Sequence, residues 1–212
     1  MSSYILRYFP IPARAETCKA LLALSGASWK LETPAWPQDK GAQPVGKIPV
    51  LIEAPDNSEA EPFVLGESRA IEEYIAAKYG LFYKPDDLQI MARQRELRSH
   101  ITDMYETSAQ IRFSNEATKP ALVEKFKNIS NYIIKFHEDA LARNGSNGHY
   151  FGDKTTFVDV AMFASILALR SVFSTAAPDL LEIFSRENAP GISKVIDTLS
   201  AEPVFSPFLA GV

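Results

Sequence analysis

Residues 45–51 of the chain read V-G-K-I-P-V-L, and residues 63–75 read F-V-L-G-E-S-R-A-I-E-E-Y-I. Proline has no N–H for a β-ladder, so Pro49 can stand only at the first residue or at an edge of the apolar strand that it opens. An extended peptide beside Ile48 could then pair with backbone groups by strand addition. Glu67 and Ser68 begin a helix, whose unpaired N–H groups attract a carboxylate. Together the two segments predict a peptide-binding site.

The first 80 residues have the pattern of a small sheet with helices beside it. Aromatic and aliphatic residues at 4–9 stop at Pro10, which predicts a strand. Apolar positions at helical spacing over 14–24, followed by Gly26, predict a helix. We expect further strands at 29–31, 50–53 and 63–65, a turn at 54–58, and a helix at 67–78. The predicted order is β-α-β followed by β-β-α, with a linker at 80–87.

Residues beyond 87 have the pattern of helices. Long amphipathic stretches cover 88–113 and 119–142. Thr156 and Asp159 stand three residues apart before an apolar run, so the hydroxyl and the carboxylate can each bind an N–H at the helix end, as in a capping box. An all-helical second half is therefore predicted.

Composition excludes several classes of protein. The chain has 212 residues, 46% of them hydrophobic, which is ample for buried cores. A net charge of -4 without a basic stripe argues against nucleic acid as a partner. No apolar run approaches the roughly 18 residues of a membrane span, and no secretory signal is visible, so we expect a cytoplasmic protein away from membranes. The single cysteine, Cys18, cannot form an internal disulfide.

Residues 4–16, Y-I-L-R-Y-F-P-I-P-A-R-A-E, complete a recognisable set with W-P-Q-D-K at 36–40 and the two segments above. The set resembles the cytosolic glutathione transferases, most closely the tyrosine-type sigma class. That resemblance implies an α/β plus all-α protein: a thioredoxin-like glutathione-binding domain at 1–79, a linker at 80–87 and a helical bundle at 88–212. It also implies glutathione S-transferase activity, with glutathione as co-substrate and no other cofactor.

Tyr8 is the candidate catalytic residue. A free thiol with a pKa of about 8.5 is only roughly 3% thiolate at neutral pH, and the thiolate is the nucleophile, so a transferase must lower that pKa. Tyr8 ends the first predicted strand and occupies the position of the family's catalytic tyrosine, whose hydroxyl donates to the sulfur. The alternative is a strand tyrosine packed in the core.

The resemblance also implies a set of residues that bind glutathione. Lys and Trp donors hold the glycine carboxylate, Ile48 contributes backbone beside a cis Pro49, Ser68 caps the γ-glutamyl carboxylate, and Glu67 accepts the amine. Alternatively the lysines are solvated, Arg14 is a surface cation, and Glu67 and Ser68 only begin a helix. The implied set is Tyr8, Arg14, Trp36, Lys40, Lys47, Ile48, Pro49, Glu67 and Ser68.

Cys18 offers a competing mechanism, because some classes use a cysteine or serine after the first strand. Its place on the apolar face of the first helix favours a buried, small hydrophobic role instead. His100, His137 and His149 lack ligand spacing, so no metal site is predicted.

A small hydrophobic electrophile is the expected second substrate. The resemblance places it against Phe9, Ile11, Tyr105, Ser108 and Arg112. It also implies a homodimer, in which an acid of the partner's first long helix reaches the peptide's amine. Thr107 stands at that position, so the candidate acids are its neighbours Glu106 and Asp103.

Two other functions stay open from the sequence. One is a non-catalytic binding or structural protein on the same scaffold, as with lens crystallins. The other is a glutathione-dependent isomerase or peroxidase, which shares the thiolate and differs in the second substrate.

Overall fold

Residues 3–55 and 60–209 are described by a computed structural model. The chain divides between Leu81 and Phe82 into two units. The turn predicted at 54–58 lies largely outside the described residues.

A four-stranded mixed sheet forms the centre of the first unit. Its strands lie in the order β2-β1-β3-β4, with β1 parallel to β2 and antiparallel to β3, and β3 antiparallel to β4. Two helices complete the unit. This arrangement confirms the predicted thioredoxin-like fold. The elements are β1 Ser3–Arg7, α1 Glu16–Leu24, β2 Ser28–Glu32, β3 Val50–Glu53, β4 Phe63–Gly66 and α2 Ser68–Lys78.

Helix α1 starts two residues later than predicted. Pro10 and Pro12 occupy an irregular loop, and the first helical bond joins the Lys19 N–H to the Ala15 carbonyl at 3.0 Å. The apolar face of α1 is buried as the spacing predicted, and Cys18 within it is fully buried. The loop between Tyr8 and Glu16 is therefore irregular backbone, set between a strand and a helix.

A tyrosine cluster lies at the end of the sheet opposite Pro49. The Tyr4 and Tyr79 hydroxyls are 2.9 Å apart, and Glu53 accepts hydrogen bonds from Tyr74 and Lys78. The Glu53 carboxylate raises the pKa of Lys78. Burial, followed by the bond to Tyr4, raises the pKa of Tyr79 to about 12. The cluster joins the C-terminal half of α2 to β1 and β3.

Described residues of the second unit are helical, as predicted, with short 3₁₀ turns between helices. Helix α5 packs against α3 and α6, and α4 packs against α3 and α6. The helices are α3 Leu88–Arg112, α4 Lys119–Arg143, α5 Phe157–Ala176, α6 Pro190–Ser200 and α7 Ser206–Leu209.

Helix α5 corrects the expectation that no apolar stretch approaches the length of a membrane span. Its 20 residues have a mean hydropathy of 1.7 over the most apolar window, enough by length and composition to cross a bilayer. However, 83% of that window is buried inside the protein. A core helix that is apolar all round has this composition because it is covered on every side.

The predicted capping box begins α5. Asp159 Oδ2 accepts hydrogen bonds from the Thr156 N–H and hydroxyl, both at 2.7 Å, and its Oδ1 accepts from the Tyr150 N–H at 2.7 Å. The carboxylate is fully buried, so these bonds replace the water that it loses. The box therefore fixes both the start of α5 and the chain that leads into it.

His137 is a buried, neutral histidine on α4. Its Nδ1 lies 2.6 Å from the Tyr150 hydroxyl, and its ring packs 5.8 Å from that of His100. Burial, and to a smaller extent His100, lowers the pKa of His137 from 6.5 to about 3. The folded protein thus takes up this proton less readily than the unfolded chain does.

The low pKa of His137 predicts an acid-side loss of stability. Because the folded pKa lies below the unfolded value, the contribution is complete above about pH 6.5 and falls as pH drops toward 3, by up to about 1.4 kcal/mol per pH unit. We expect His137→Phe to flatten this slope in urea unfolding measured between pH 4.5 and 8. Tyr150→Phe is the control, because it removes the hydroxyl and leaves the imidazole. An unchanged slope in His137→Phe would contradict the prediction.

Candidate active site

One end of the sheet brings together three predicted site residues of the first unit. Arg7 pairs with Val50, and Val50 pairs with Gly66. Continuing this register by one residue places Tyr8, Pro49 and Glu67 side by side at that end. Residues 8, 49 and 67, far apart in sequence, therefore meet where β1 and β4 end and β3 begins.

Tyr8 lies one residue beyond β1, which ends at Arg7, two residues before the end that was predicted for this strand. Its backbone N–H donates to the Glu32 carbonyl at 3.0 Å, and its side chain is 7% exposed. The Tyr8 hydroxyl oxygen accepts a hydrogen bond from the Arg14 N–H at 3.2 Å. This bond uses a lone pair of the oxygen, whereas donation to a sulfur would use the phenol proton. The side chain of Arg14 is exposed at the end of the loop.

Three aromatic rings connect the end of β1 with the loop after β2. The ring of Phe9 lies 5.7 Å from that of Tyr8 and meets the ring of Trp36 edge-on at 6.0 Å. Trp36 is half-buried. The Ile48–Pro49 bond is cis, as predicted, and the Trp36–Pro37 bond, for which no cis form was predicted, is cis as well.

Lys40 and Lys47 lie in the loop between β2 and β3, and both are exposed. Lys47 Nζ is 3.8 Å from Glu67 Oε1, with side chains 72% and 64% exposed. Water screens so open a pair, and such pairs contribute at most about 1 kcal/mol to stability. Little free energy is therefore lost if the Lys47 ammonium and the Glu67 carboxylate separate and each pairs with a charged group of a ligand.

Ser68 is the first residue of α2 and is buried. Cys18 Sγ lies 3.6 Å from the Ser68 carbonyl oxygen, so a helix α1 side chain contacts the start of α2. The complete burial of Cys18 fits the role of a small hydrophobic side chain and not that of an exposed nucleophile.

Glu67 has a backbone conformation that L-residues rarely adopt. Its φ is 67° and its ψ 115°, and its side chain makes no capping bond to α2. Such a residue costs of order 1–3 kcal/mol, and these costs are concentrated at functional sites. The carboxylate points toward Lys47 and not toward the helix end.

The loop between β2 and β3, which carries both lysines, contains residues that the sequence reasoning missed. Asp39 Oδ2 accepts from the Ala35 N–H at 2.7 Å, and Gln43 Nε2 donates to the Asp39 carbonyl at 3.1 Å. Gln43 is buried, and its Oε1 has no hydrogen-bond partner among the described residues. Only the folded loop reveals these roles, because a Gln beside prolines otherwise looks like a solvated turn residue.

The remaining predicted residues lie on α3 of the helical unit. Ser108 is fully buried and its hydroxyl donates to the Tyr105 carbonyl at 2.7 Å, while Arg112 is exposed in the last turn. Asp103 and Glu106 are exposed. Thr107 is buried, with its hydroxyl on the Asp103 carbonyl.

Metal binding has no visible basis in the described parts of the chain. Residues 3–55 and 60–209 contain no group of three or more His, Cys, Asp or Glu side chains that could hold a metal ion.

Comparison with known proteins identifies the family. Residues 100–211, more than half of the chain, match the family model described as glutathione S-transferase, C-terminal domain. The chain belongs to the glutathione S-transferase family. A probable glutathione S-transferase 6 of Caenorhabditis elegans is 28% identical over 76% of this chain and 77% of its own length. S-crystallin SL11 of Nototodarus sloanii is 26% identical over 78% of this chain and 80% of its own.

Solved structures of glutathione transferases share the whole fold. A Fasciola hepatica sigma-class transferase superposes with a TM-score of 0.80 at 22% identity, covering 98% of this chain and 95% of that one. A Pseudomonas fluorescens family member with two glutathione molecules bound has a TM-score of 0.76 at 20% identity, covering 97% and 92%. At these low identities, the structural likeness shows that this glutathione S-transferase family member shares the fold of those proteins.

The conformation of Glu67 predicts different effects of two small substitutions on stability. Glu67→Gly removes the Cβ that the positive φ disfavours, so we expect it to raise the free energy of unfolding by about 1 kcal/mol. Glu67→Ala, the matched control, removes the same carboxylate but keeps a Cβ and should bring no gain. Urea unfolding of both variants measures the difference, and equal stabilities would show that residue 67 carries no such strain.

Proposed function

We propose that this family member is a glutathione transferase in which Tyr8 stabilises the thiolate of bound glutathione. The observation that carries the proposal is the hydrogen bond from the Arg14 N–H to the Tyr8 hydroxyl oxygen. This bond lies at the end of the sheet that also holds Pro49 and Glu67. A bond accepted by a phenol oxygen polarises its O–H and makes it a stronger donor. A sulfur beside this hydroxyl would receive a charge-assisted hydrogen bond.

The size of the effect matches the chemistry that is needed. Lowering the thiol pKa by about two units takes roughly 2.7 kcal/mol and converts most of the bound sulfur to thiolate at neutral pH. One hydrogen bond to a charged group contributes about 1.5–3 kcal/mol. Tyr8 can thus supply most of the required stabilisation, with the nearby start of α1 adding a smaller share.

The charged ends of the peptide have complementary partners in the same unit. Trp36, Lys40 and Lys47 donate to the glycine carboxylate in this proposal, and the backbone of Ile48 pairs with the peptide. The γ-glutamyl carboxylate lies at the N-terminus of α2 beside Ser68, and Glu67 accepts the amine. The open Lys47–Glu67 contact supports this part, because both groups stay available to a ligand.

The proposed second substrate is a small hydrophobic electrophile that lies against Phe9 and Ile11. Ile11 is a large apolar side chain that is 44% exposed and lies in the loop that follows Tyr8. The thiolate attacks an electrophilic carbon or a peroxide of this substrate. Which of the two it attacks distinguishes a transferase from a peroxidase with the same thiol chemistry.

The proposed assembly is a cytoplasmic homodimer. Asp103 and Glu106 are exposed on α3, where either could reach the amine of glutathione bound by the partner. Sedimentation equilibrium tests the assembly directly: a mass of two chains is expected, and a single-chain mass would refute it.

A second candidate function is a structural protein that binds glutathione without turning it over. The similarity to S-crystallin SL11 favours this alternative. The placement of Tyr8 and the Arg14 N–H argues for catalysis instead.

Substitution of Tyr8 tests the proposal. We expect Tyr8→Phe to lower kcat/KM for the conjugation of a chloronitrobenzene by about 100-fold and to raise the pKa of bound glutathione, read from ultraviolet thiolate absorbance, by about two units. Tyr4→Phe is the matched control, because Tyr4 lies on β1, at the end of the sheet opposite Tyr8. The structural alternative gains support if glutathione binds and no electrophile, peroxide or isomerisation substrate is turned over.

A further inference from the structure

A buried ion pair lies at the start of α1, beside the loop that follows Tyr8. Lys19 Nζ is 2.9 Å from Glu16 Oε2 and 3.0 Å from the backbone oxygen of Ile11. The Lys19 and Glu16 side chains are 12% and 9% exposed. Burial raises the pKa of Glu16, and Lys19 offsets part of that rise. The ammonium thus spans a helix carboxylate and a loop carbonyl.

The loop at residues 10–13 depends on partners outside itself. Pro10 and Pro12 have no N–H, so the loop cannot close on itself through those positions. The Ala13 carbonyl accepts from the Glu16 N–H at 2.9 Å, and the Ile11 carbonyl accepts from Lys19. Directly after the loop, the Arg14 N–H donates to the Tyr8 hydroxyl oxygen. Lys19 therefore holds the middle of a loop whose end contacts the catalytic candidate.

Stability alone gives little reason for this lysine. A buried ion pair costs about as much in lost hydration as it returns in attraction, and apolar residues of similar volume often serve as well. A cation near the N-terminal end of a helix also faces the positive end of the helix dipole. Apart from the pairing with Glu16, the contribution of Lys19 that an apolar side chain could not replace is its bond to the Ile11 carbonyl.

We propose that Lys19 is a positioning residue of the active site, which holds the 10–13 loop so that the Arg14 N–H stays on the Tyr8 hydroxyl oxygen. This inference rests on the function proposed for Tyr8. Without the bond from Arg14, the phenol is a weaker and less directed donor to the sulfur. Lys19 itself contacts neither glutathione nor the electrophile in this account.

Three single variants test the inference. Lys19→Met keeps the length and burial of the side chain and removes the donor. We expect it to shift the pH profile of kcat/KM about one unit upward and to lower kcat/KM about tenfold below the new pKa, with KM for glutathione changed by less than about twofold. Lys19→Arg keeps a donor and should restore most of the activity. Lys30→Met, at an exposed lysine on β2, should match the parent protein.

A double variant separates the positioning role from a folding defect. Glu16→Gln/Lys19→Met leaves no uncompensated carboxylate, and we expect it to fold and to show the same pH shift. If the single and the double variant that carry Lys19→Met both keep the parent pH profile while Tyr8→Phe shifts it, Lys19 has no positioning role and the proposed function stands. A change confined to KM in the Met variants would equally overturn the inference. A parent-like profile in Tyr8→Phe would instead refute the proposed function itself.

Discussion

Proline limits the hydrogen-bonded ladder at one end of the sheet, and the site depends on that constraint. Pro49 directly precedes β3, where a residue without an N–H cannot extend the ladder. Pro10 and Pro37 lie in the segments that follow β1 and β2. The loops bring Tyr8, Trp36 and Lys47 to one end of the sheet, whereas the opposite end is filled by the cluster around Tyr4 and Glu53. One end of the sheet is thus packed, and the other carries the residues of the proposed glutathione site.

Two ion pairs in the first unit differ in burial, and this difference fits the separate roles that we propose for them. Lys19 and Glu16 are nearly buried, where their attraction is poorly screened and their geometry is fixed by the helix and by Ile11. Lys47 and Glu67 are mostly exposed at 3.8 Å, where water and salt weaken the attraction. The first pair suits a permanent contact. The second suits charges that must release each other when a charged peptide arrives.

Buried polar groups of the helical unit are organised around the start of α5. Asp159 holds Thr156 and the Tyr150 N–H, while the Tyr150 hydroxyl meets His137 on α4. The low dielectric of this buried site strengthens these bonds and penalises any added charge, which is why His137 stays neutral. These interactions fix the entry of the core helix, and the candidate chemistry of the protein lies in residues of the other unit.

Local rules determined the order of strands and helices, the capping box at Thr156 and the buried face of α1, because periodicity, proline and hydroxyl-to-carboxylate spacing act within one or two turns of chain. The family resemblance added the cis bond before Pro49 and the way in which the two halves of the sheet join. Contacts between residues distant in the chain came only from the tertiary structure. His100 and His137 lie 37 positions apart and have no ligand spacing, yet their rings pack together. Likewise, local patterns placed Lys19 within the first predicted helix and Glu67 at the start of the second, and the resemblance alone gave Glu67 a binding role. The bond of Lys19 to Ile11 and the positive φ of Glu67 depend on how separate segments meet at the end of the sheet, which no local pattern encodes.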